Sequence, residues 1–255
     1  MSALAYDVVE SYRARAAWAC AESRPTTPHL LPRALDDITS VVEFPAGPGH
    51  FLTAYARAGV RVRLIDASWP MLTAATHHAC DVGVVELAIG CHFLEHLPDL
   101  AEGLMVVPNA ALNQLATQTP LTDVLAHLRE AVHPGTRLFL QYLQVGPTPN
   151  SEPGGRFYDP ALPDGHTSTD HTFSDPHNRR VRRHRRQHHT PDGRQVRIEF
   201  TYTAPGHQER TTHVHLALFT TGEVEAALAA TGWTSSHTHT HAGFCEVLAN
   251  AGDSR

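Results

Sequence analysis

The sequence predicts an α/β fold built on a parallel sheet, and two observations support that prediction. Between residues 41 and 144, short apolar runs alternate with amphipathic helical stretches, which is the pattern of strand–helix–strand units. The first of these runs leads directly into a glycine-containing turn and a helix, an arrangement that brings backbone close to a ligand. Hydrophobic residues make up 42% of the 255 residues and charged residues 18%, a balance that permits a core and excludes wholesale disorder.

The composition also excludes several classes of protein. There is no apolar run long enough to span a bilayer, and the N-terminal stretch carries charges where a secretory signal needs apolar residues, so we expect a cytoplasmic protein with no membrane partner. The four cysteines form no C-x-x-C pair, which argues against a disulfide framework and a cysteine zinc site. All 20 basic residues are arginine, so lysine-dependent chemistry is excluded.

The elements of the first 145 residues follow from local patterns. Residues 1–40 predict a helical segment that is broken by prolines. Apolar runs predict strands at Val41–Phe44, Val60–Ile65, Val82–Ile89, Gly103–Val107 and Arg137–Leu143. Amphipathic patterns predict helices at Phe51–Ala58 and Leu121–Val132.

The composition changes after residue 145. Residues 146–178 are rich in Pro, Gly, Asp, His and Thr and are predicted to be a loop. Turn residues then separate three strands of an antiparallel meander, predicted at Val181–His189, Gln195–Thr203 and Thr211–Leu218. Thr220–Ala230 is predicted to be a helix that begins with a capping threonine and Glu223, and Trp233–His241 with Phe244–Ala249 a closing hairpin.

The glycine-containing turn is the strongest functional signal. Gly47 and Gly49 follow the first predicted strand and precede a helix, and Asp66 ends the next strand, where a carboxylate can bind a ribose hydroxyl. A dinucleotide fingerprint needs a third glycine, but that position is Leu52. The turn is therefore a poor fit for NAD.

This segment resembles the first two motifs of the class I S-adenosylmethionine-dependent methyltransferases. Their first motif, an acidic residue followed by G-x-G-x-G, is similar to E-F-P-A-G-P-G at Glu43–Gly49. Their second, an acidic residue often followed by S-x-x-M-L, is similar to Asp66–Leu72. The turn at Pro134–Thr136 and the C-terminal helix and hairpin resemble further family features in the right order. The resemblance implies a Rossmann-like seven-stranded methyltransferase fold and S-adenosyl-L-methionine as the cofactor.

The C-terminal half resembles the small-molecule branch of that family, in particular the sugar N,N-dimethyltransferases of antibiotic pathways. The resemblance rests on Arg179–Tyr202 and on His213–Trp233. Those enzymes insert an antiparallel sheet between core strands five and six, where it covers the substrate pocket. The implied parts are an N-terminal lid (1–40), a cofactor-binding core (41–145), an antiparallel substrate-cap insertion (146–219) and a C-terminal helix and hairpin that complete the core (220–255).

The resemblance implies cofactor contacts at the motif residues and at two tyrosines of the lid. These residues are Tyr6, Tyr12, Glu43, Phe44, Pro45, Ala46, Gly47, Gly49, Asp66, Ala67, Met71, Cys91, His92, Phe93, Pro108 and Asn109. Pro45 replaces the first glycine of the motif, and Cys91 stands where an adenine-binding aspartate is usual. Because a thiol is a weak acceptor, adenine binding is expected to depend on backbone groups of His92 and Phe93.

Three residues are candidates for catalysis. Gln114 takes the approximate place of a substrate-facing histidine in the family, although an amide is no base. His215 in the meander and His166 in the preceding loop are candidate bases. Methyl transfer to a neutral amine needs alignment more than proton removal, so a pocket with Gln114 is chemically acceptable. We predict transfer to a nitrogen or oxygen of a small molecule in specialised metabolism.

Two other functions stay open. The departures at Pro45, Cys91 and Gln114 are compatible with an enzyme that uses the bound sulfonium, or only the pocket, for cyclisation or elimination. The run Arg179–Arg186 is compatible with a nucleic-acid methyltransferase or adaptor. That run lacks interleaved aromatics and the chain has a net charge of −6, so we interpret it as a solvated edge strand and expect no nucleic-acid partner.

Histidine pairs and triplets raise the question of a metal. His237, His239 and His241 project from one face of a predicted strand, and His213 and His215 from another. Because no carboxylate completes an evident ligand set, we expect a polar sheet face and no metal. A homodimer is compatible with the sequence.

Overall fold

The computed structural model describes residues 28–145, 158, 163–175, 177–241 and 244–253, and also positions 12, 15, 16, 18, 19, 21 and 22. The described positions between 12 and 22 are helical. Half of the predicted lid (1–40), Tyr6 included, lies outside the described residues.

Eleven strands in the described ranges form two sheets. They are β1 (Ser40–Glu43), β2 (Arg61–Asp66), β3 (Leu87–Cys91), β4 (Leu104–Val107), β5 (Arg137–Tyr142), β6 (Thr167–Ser174), β7 (Arg180–His189), β8 (Gln195–Thr203), β9 (Arg210–Ala217), β10 (Trp233–His241) and β11 (Phe244–Ala251). The larger sheet has seven strands in the order β10-β11-β5-β4-β1-β2-β3. Strands β1 to β5 are parallel, and β11 and β10 are added in antiparallel pairing. The predicted seven-stranded α/β fold is confirmed.

Helices cover both faces of this sheet. They are α1 (Leu31–Ala34), α2 (Leu52–Ala58), α3 (Trp69–Val82), α4 (Ala111–Leu115), α5 (Leu121–Glu130) and α6 (Thr221–Ala230), with a short 3₁₀ helix at Leu94–His96. Apolar residues of α5 and α6 pack on one face, and those of α1, α2 and α3 pack on the other. The predicted capping box is present at α6, where the Thr220 hydroxyl accepts the Glu223 N–H and the Glu223 carboxylate accepts the Thr220 N–H.

The second sheet is antiparallel, with strands in the order β6-β7-β8-β9, and we call it the cap sheet. It lies between β5 and α6 in the chain. Ile198, Phe200 and Tyr202 share its buried inner face, as their alternation predicted. The buried side chain of Asn113 joins it to the core, because its amide donates to the carbonyls of Leu143 (2.8 Å) and Ala217 (2.7 Å).

Two sequence predictions about the cap sheet are wrong. Strand β6 lies within the region predicted to be a loop, because it is held by backbone pairing to β7 and its polar sequence carries no alternation of apolar residues. Strand β7, which contains the arginine run, is an interior strand between β6 and β8 and not a solvated edge. Alternate residues of β7 point inward, so Arg185 is only 2% exposed.

The predicted strand at Val82–Ile89 is also displaced. Val82 ends α3, and Gly83 caps that helix in the left-handed conformation at φ 76°. The strand begins only at Leu87. One apolar run therefore spans a helix end and an edge strand, two elements that hydrophobicity alone does not separate. No helix in the described part of the chain is long and apolar enough to cross a membrane.

Candidate functional site

A cavity of about 170 Å³ opens at the carboxyl ends of the parallel strands. It lies beside β1, from which the chain crosses to β2 on one side while β4 pairs on the other. Ligands of open α/β sheets bind at such a switch point. Of the residues named from the sequence, the cavity is lined by Tyr12, Phe44, Pro45, Gly47, Asp66, Ala67, His92, Phe93, Pro108, Asn109 and Gln114. The sequence reasoning missed His50, Ser68, Leu94, Glu95, Ala111, Leu115, Gln118 and Thr119.

The turn after β1 requires glycine at two positions. Gly47 has φ 52° and Gly49 has φ 79°, in the left-handed region that other residues adopt at a cost. A Cβ atom on Gly49 would lie 2.2 Å from Cδ1 of the buried Leu52. A Cβ atom on Gly47 would lie 3.0 Å from the ring of His50. The turn therefore brings bare backbone to the cavity.

Glu43 holds this turn from beneath and does not line the cavity. One carboxylate oxygen accepts the His50 N–H at 2.9 Å, and the other accepts the Tyr55 hydroxyl at 2.6 Å. Burial raises the pKa of Glu43 to about 7. The predicted cofactor contact at Glu43 is corrected to a supporting role, because both of its oxygens face the protein.

Asp66 ends β2 and lines the cavity. Its two oxygens accept the N–H groups of Gly47 and Ser68, each at 2.8 Å. Burial raises the pKa of Asp66 to about 6. Each carboxylate oxygen has a second lone pair, so the group can accept ligand hydroxyls as well. The buried hydroxyl of Ser68 has no hydrogen-bond partner among the described residues.

Tyr12 closes one side of the cavity. Its hydroxyl donates to Oε1 of Gln114 at 2.8 Å, and burial raises the pKa of Tyr12, so the phenol stays protonated. Nε2 of Gln114 is buried and has no partner within the described ranges. This amide is therefore available to a ligand as a hydrogen-bond donor.

His50 is a cavity residue that the motif did not assign. Burial, together with the charges of Arg15 and His78, lowers the pKa of His50 to about 4, so the imidazole is neutral at pH 7. The only available signal was its place directly after Gly49. Carboxylates line the cavity at Asp66 and Glu95, whereas its described lining includes no arginine.

Several predicted cofactor contacts lie outside the cavity lining. Ala46 and Met71 are buried in the apolar clusters, and Gly49 lies behind the turn against Leu52. The Cys91 thiol donates to the Ala67 carbonyl at 3.5 Å. The His92 N–H donates to the Asp66 carbonyl at 3.2 Å and so is already used, although the side chains of His92 and Phe93 do line the cavity.

The two histidines that were candidate bases do not line the cavity. His166 is exposed before β6. His215 lies on β9 between the buried Val214 and Leu216 and therefore points to the opposite, outer face of the cap sheet. Alternation along the strand places it on the wrong side for a pocket base.

The histidine-rich strand β10 carries a ring stack. His29 packs on His239 with ring centroids 3.8 Å apart. Within the ranges that the structure describes, no group of three or more His, Cys, Asp or Glu side chains is placed to hold a metal ion.

Comparison with solved structures identifies the fold as that of the S-adenosylmethionine-dependent methyltransferases. The CcbJ methyltransferase from Streptomyces caelestis superposes with a TM-score of 0.65 at 17% identity, over 96% of this chain and 90% of that one. S-adenosylmethionine-bound CalS10, an amino pentose methyltransferase from Micromonospora echinaspora involved in calicheamicin biosynthesis, gives 0.60 at 21% identity, over 97% and 90%.

A third structure extends this likeness. The sugar N-methyltransferase KedS8 from a Streptoalloteichus species gives a TM-score of 0.64 at 17% identity, over 95% of this chain and 88% of that one. No protein-family model and no curated protein sequence matches the chain. At these identities the likeness establishes the fold, and the chemistry depends on the cavity.

Proposed function

We propose that this protein is an S-adenosylmethionine-dependent methyltransferase that acts on a nitrogen atom of a small molecule in specialised metabolism. The observation that carries the proposal is the cavity at the switch point of β1. The glycine turn, the Asp66 carboxylate and the side-chain amide of Gln114 all line this cavity. Neighbours with the same fold include a sugar N-methyltransferase and an amino pentose methyltransferase, which supports an amine acceptor.

The residues present fit S-adenosylmethionine. Asp66 retains lone pairs for the two ribose hydroxyls, and the bare backbone at Gly47 permits close approach. The ring of Phe93 offers an apolar wall for adenine, and the unpartnered Ser68 hydroxyl offers a polar contact. When bound, the cofactor supplies an electrophilic methyl group on a sulfonium.

The chain's own contribution is alignment and exclusion of water. Tyr12 and Gln114 close the cavity with a hydrogen bond. The unpartnered Nε2 of Gln114 can donate to an oxygen atom of the acceptor molecule and so orient it. The neutral His50 is a weak base, because the pKa of its imidazole is about 4. Nitrogen is favoured over oxygen as the acceptor atom. A neutral amine is nucleophilic without loss of a proton, whereas an alcohol needs a base to remove its proton.

The cap sheet argues against a polyanion as the substrate. Only alternate arginines of β7 face solvent, because Arg183 and Arg185 point inward. Arg183 forms an ion pair with Glu22. The basic surface is therefore smaller than the arginine run predicts, which supports a small-molecule acceptor over a nucleic acid.

The proposal is tested by binding and by product. Titration calorimetry should show binding of S-adenosylmethionine and of S-adenosylhomocysteine. Incubation with methyl-labelled cofactor and a panel of cyclic amines, matched alcohols and RNA should label the amines, as read by mass spectrometry. Labelled RNA would support the nucleic-acid alternative. A cofactor or acceptor that is cyclised or cleaved without methyl transfer would support non-methyl chemistry on this fold.

A further inference from the structure

A buried chain of hydrogen bonds connects the cavity to the segment before α1, which includes Leu30. The Asn109 N–H, at the cavity, donates to Oε1 of Gln141 at 3.2 Å. Nε2 of Gln141 donates to Oε1 of Glu246 at 3.2 Å, and the Leu30 N–H donates to Oε2 of Glu246 at 2.8 Å. Gln141 is 2% exposed and Glu246 1% exposed. The two residues are directly opposite in the β5–β11 ladder, so their side chains share a face.

The loop at the cavity end needs support. Asn109 and Ala110 have φ 47° and φ 60°, and both are non-glycine residues in the left-handed region. Such backbone persists only where its surroundings hold it. The same loop leads into α4, which carries Gln114 into the cavity. The Gln141 contact to the Asn109 N–H is therefore placed to hold the wall that faces the acceptor.

The other end of the chain fixes the segment before α1. Leu30 is buried in the apolar cluster with Leu31 and Phe51, so its N–H cannot bond to water, and Glu246 satisfies it. Phe51 immediately follows the glycine turn and His50. The Glu246 carboxylate thus bonds directly to the segment that packs beneath the glycine turn. Through Gln141 it is also connected to the loop that contains Asn109, on the opposite wall of the cavity.

We propose that Glu246 and Gln141 are positioning residues that couple the loop at residues 107–111 to the segment at residues 28–31. Neither residue lines the cavity. Substitution of either side chain is expected to disturb both segments, because each side chain bonds at once to the other and to one backbone N–H. The consequence for turnover rests on the proposed function, whereas the coupling itself does not.

The coupling is tested by exchanging the side chains at positions 141 and 246, with Gln141→Glu, Glu246→Gln and the double variant. In Gln141→Glu two buried carboxylates face each other. In Glu246→Gln every orientation of the two amides leaves a pair of donors facing each other at one link. In the double variant the introduced amide at 246 donates to the introduced carboxylate at 141, and both backbone N–H groups keep an acceptor. The double variant therefore restores all three hydrogen bonds.

Hydrogen exchange on the ligand-free protein reads the coupling directly. We expect each single variant to speed exchange in peptides covering 28–35 and 105–115 by roughly five- to tenfold, and the double variant to return both peptides to the wild-type rate. The control is Gln144→Leu, two residues beyond the end of β5. It removes the hydrogen bond that the Gln144 side-chain amide donates to the Thr221 hydroxyl (3.0 Å) and should leave exchange in both peptides unchanged.

The outcomes separate the inference from the proposed function. Faster exchange in only one of the two peptides, or a double variant as fast as the single variants, overturns the coupling. If Gln141→Glu does not fold, the uncharged Glu246→Gln variant and the double variant give the same comparison. In the methylation assay the single variants should lower kcat several-fold while the affinity for S-adenosylmethionine stays within about threefold, because Asp66 is held by other bonds. Absence of any methylation, with the exchange results as expected, contradicts the proposed function alone.

Discussion

The turn after β1 and the cap sheet hold their buried carboxylates in different ways. At the turn, partners are close in sequence: Asp66 accepts N–H groups 2 and 19 residues away, and Glu43 accepts groups 7 and 12 residues away. Under the cap sheet, Glu22 accepts from Arg183 and Tyr202, 161 and 180 residues away. Arg15 also bonds to Glu22 (3.1 Å), and its guanidinium carbon lies 5.0 Å from the ring centroid of Phe200.

This difference separates two kinds of stability. Asp66 and Glu43 are bound mainly by backbone donors within one motif, so their partners are in place as soon as that motif folds. The Glu22 cluster is an ion pair between the N-terminal segment and the cap sheet, so it is formed only when both are in place. Closure of the cavity depends on the Glu22 cluster, because Tyr12, which closes one side, lies in the same N-terminal segment as Glu22.

Breaking the cluster should have the largest effect. Glu22→Leu leaves the partly buried Arg15 and Arg183 without their carboxylate, and we expect the free energy of unfolding to fall by about 3–5 kcal/mol. Urea denaturation measures this. The control is Glu199→Leu, which removes a more exposed pair with Arg197 (3.5 Å) in the same sheet and should cost less than about 1 kcal/mol. Equal losses would mean that Glu22 is no more than a surface pair.

The glycine turn of the core sheet gives the next largest effect. Gly49→Ala adds both left-handed strain at φ 79° and a clash with Leu52, and we expect a loss of about 2–4 kcal/mol. Gly83→Ala has a similar φ of 76° but meets nothing within 4 Å, so it isolates the strain at about 1–2 kcal/mol. Thermal unfolding compares the two. Equal destabilisation would show that the clash with Leu52 is relieved by local movement.

Asp66→Ala should weaken S-adenosylmethionine binding by about 2–3 kcal/mol, because it removes a charged acceptor for the ribose hydroxyls. Titration calorimetry gives the affinity, and far-UV circular dichroism shows whether the variant is folded. Glu22→Gln, which lies outside the cavity lining, is the comparison from the cap side and should change the affinity less. Wild-type affinity in Asp66→Ala would exclude this carboxylate from the site.

The two regions should also respond oppositely to pH. Burial raises the pKa of Glu43 to about 7 in the folded protein, so its stabilising protonated form is present at low pH and is lost as pH rises from about 4.5 through 7. Burial alone would raise the pKa of Glu22, but Arg15 and Arg183 outweigh it and hold that pKa below its usual range. Its contribution is therefore lost as pH falls.

Glu43→Gln isolates the core contribution. We expect wild-type stability to fall between pH 5 and pH 7 by about 2 kcal/mol more than that of the variant. Denaturant titrations at the two pH values measure this difference. Parallel pH profiles would show that Glu43 is already ionised at pH 5.

The same contrast explains what the sequence predicted. The central parallel strands β1, β4 and β5 are buried almost throughout and read as short apolar runs, so they were located from pattern, as was the largely buried β2. Gly47 and Asp66, which line the cavity, could be singled out from the sequence because they belong to one contiguous motif. Strand β6 was missed because its sequence is polar and its order comes from pairing with β7.

Other site predictions depended on contacts that a sequence pattern does not show. Cys91 as a cofactor contact stays a prediction, and its thiol donates to the Ala67 carbonyl. His215 was a candidate base, but alternation along β9 places it on the outer face of the cap sheet. The inward orientation of Arg183 could not be read from a run of charges, because its acidic partner Glu22 is distant in sequence.

The smallest effect is expected on the outer face of the cap sheet. Arg180 and Arg182 are exposed on the same strand that buries Arg185. The double variant Arg180→Ser/Arg182→Ser should change stability by less than about 0.5 kcal/mol and leave cofactor affinity unchanged. Chemical denaturation and calorimetry measure both. Arg185→Ser is the inward control and should be strongly destabilising, so similar values for the two would contradict the alternation of β7.

The span of the Glu22 cluster sets a time order on the nascent chain. Glu22 leaves the ribosome first, and its partner Tyr202 is synthesised 180 residues later. At typical translation rates that interval is on the order of 10–40 s. During it the turn at Gly47 and the carboxylate of Asp66 are already synthesised, whereas Glu22 does not yet have the cap-sheet donors Arg183 and Tyr202. In a newly made chain, Glu22 can therefore pair with Arg183 and Tyr202 only after the cap sheet has been synthesised.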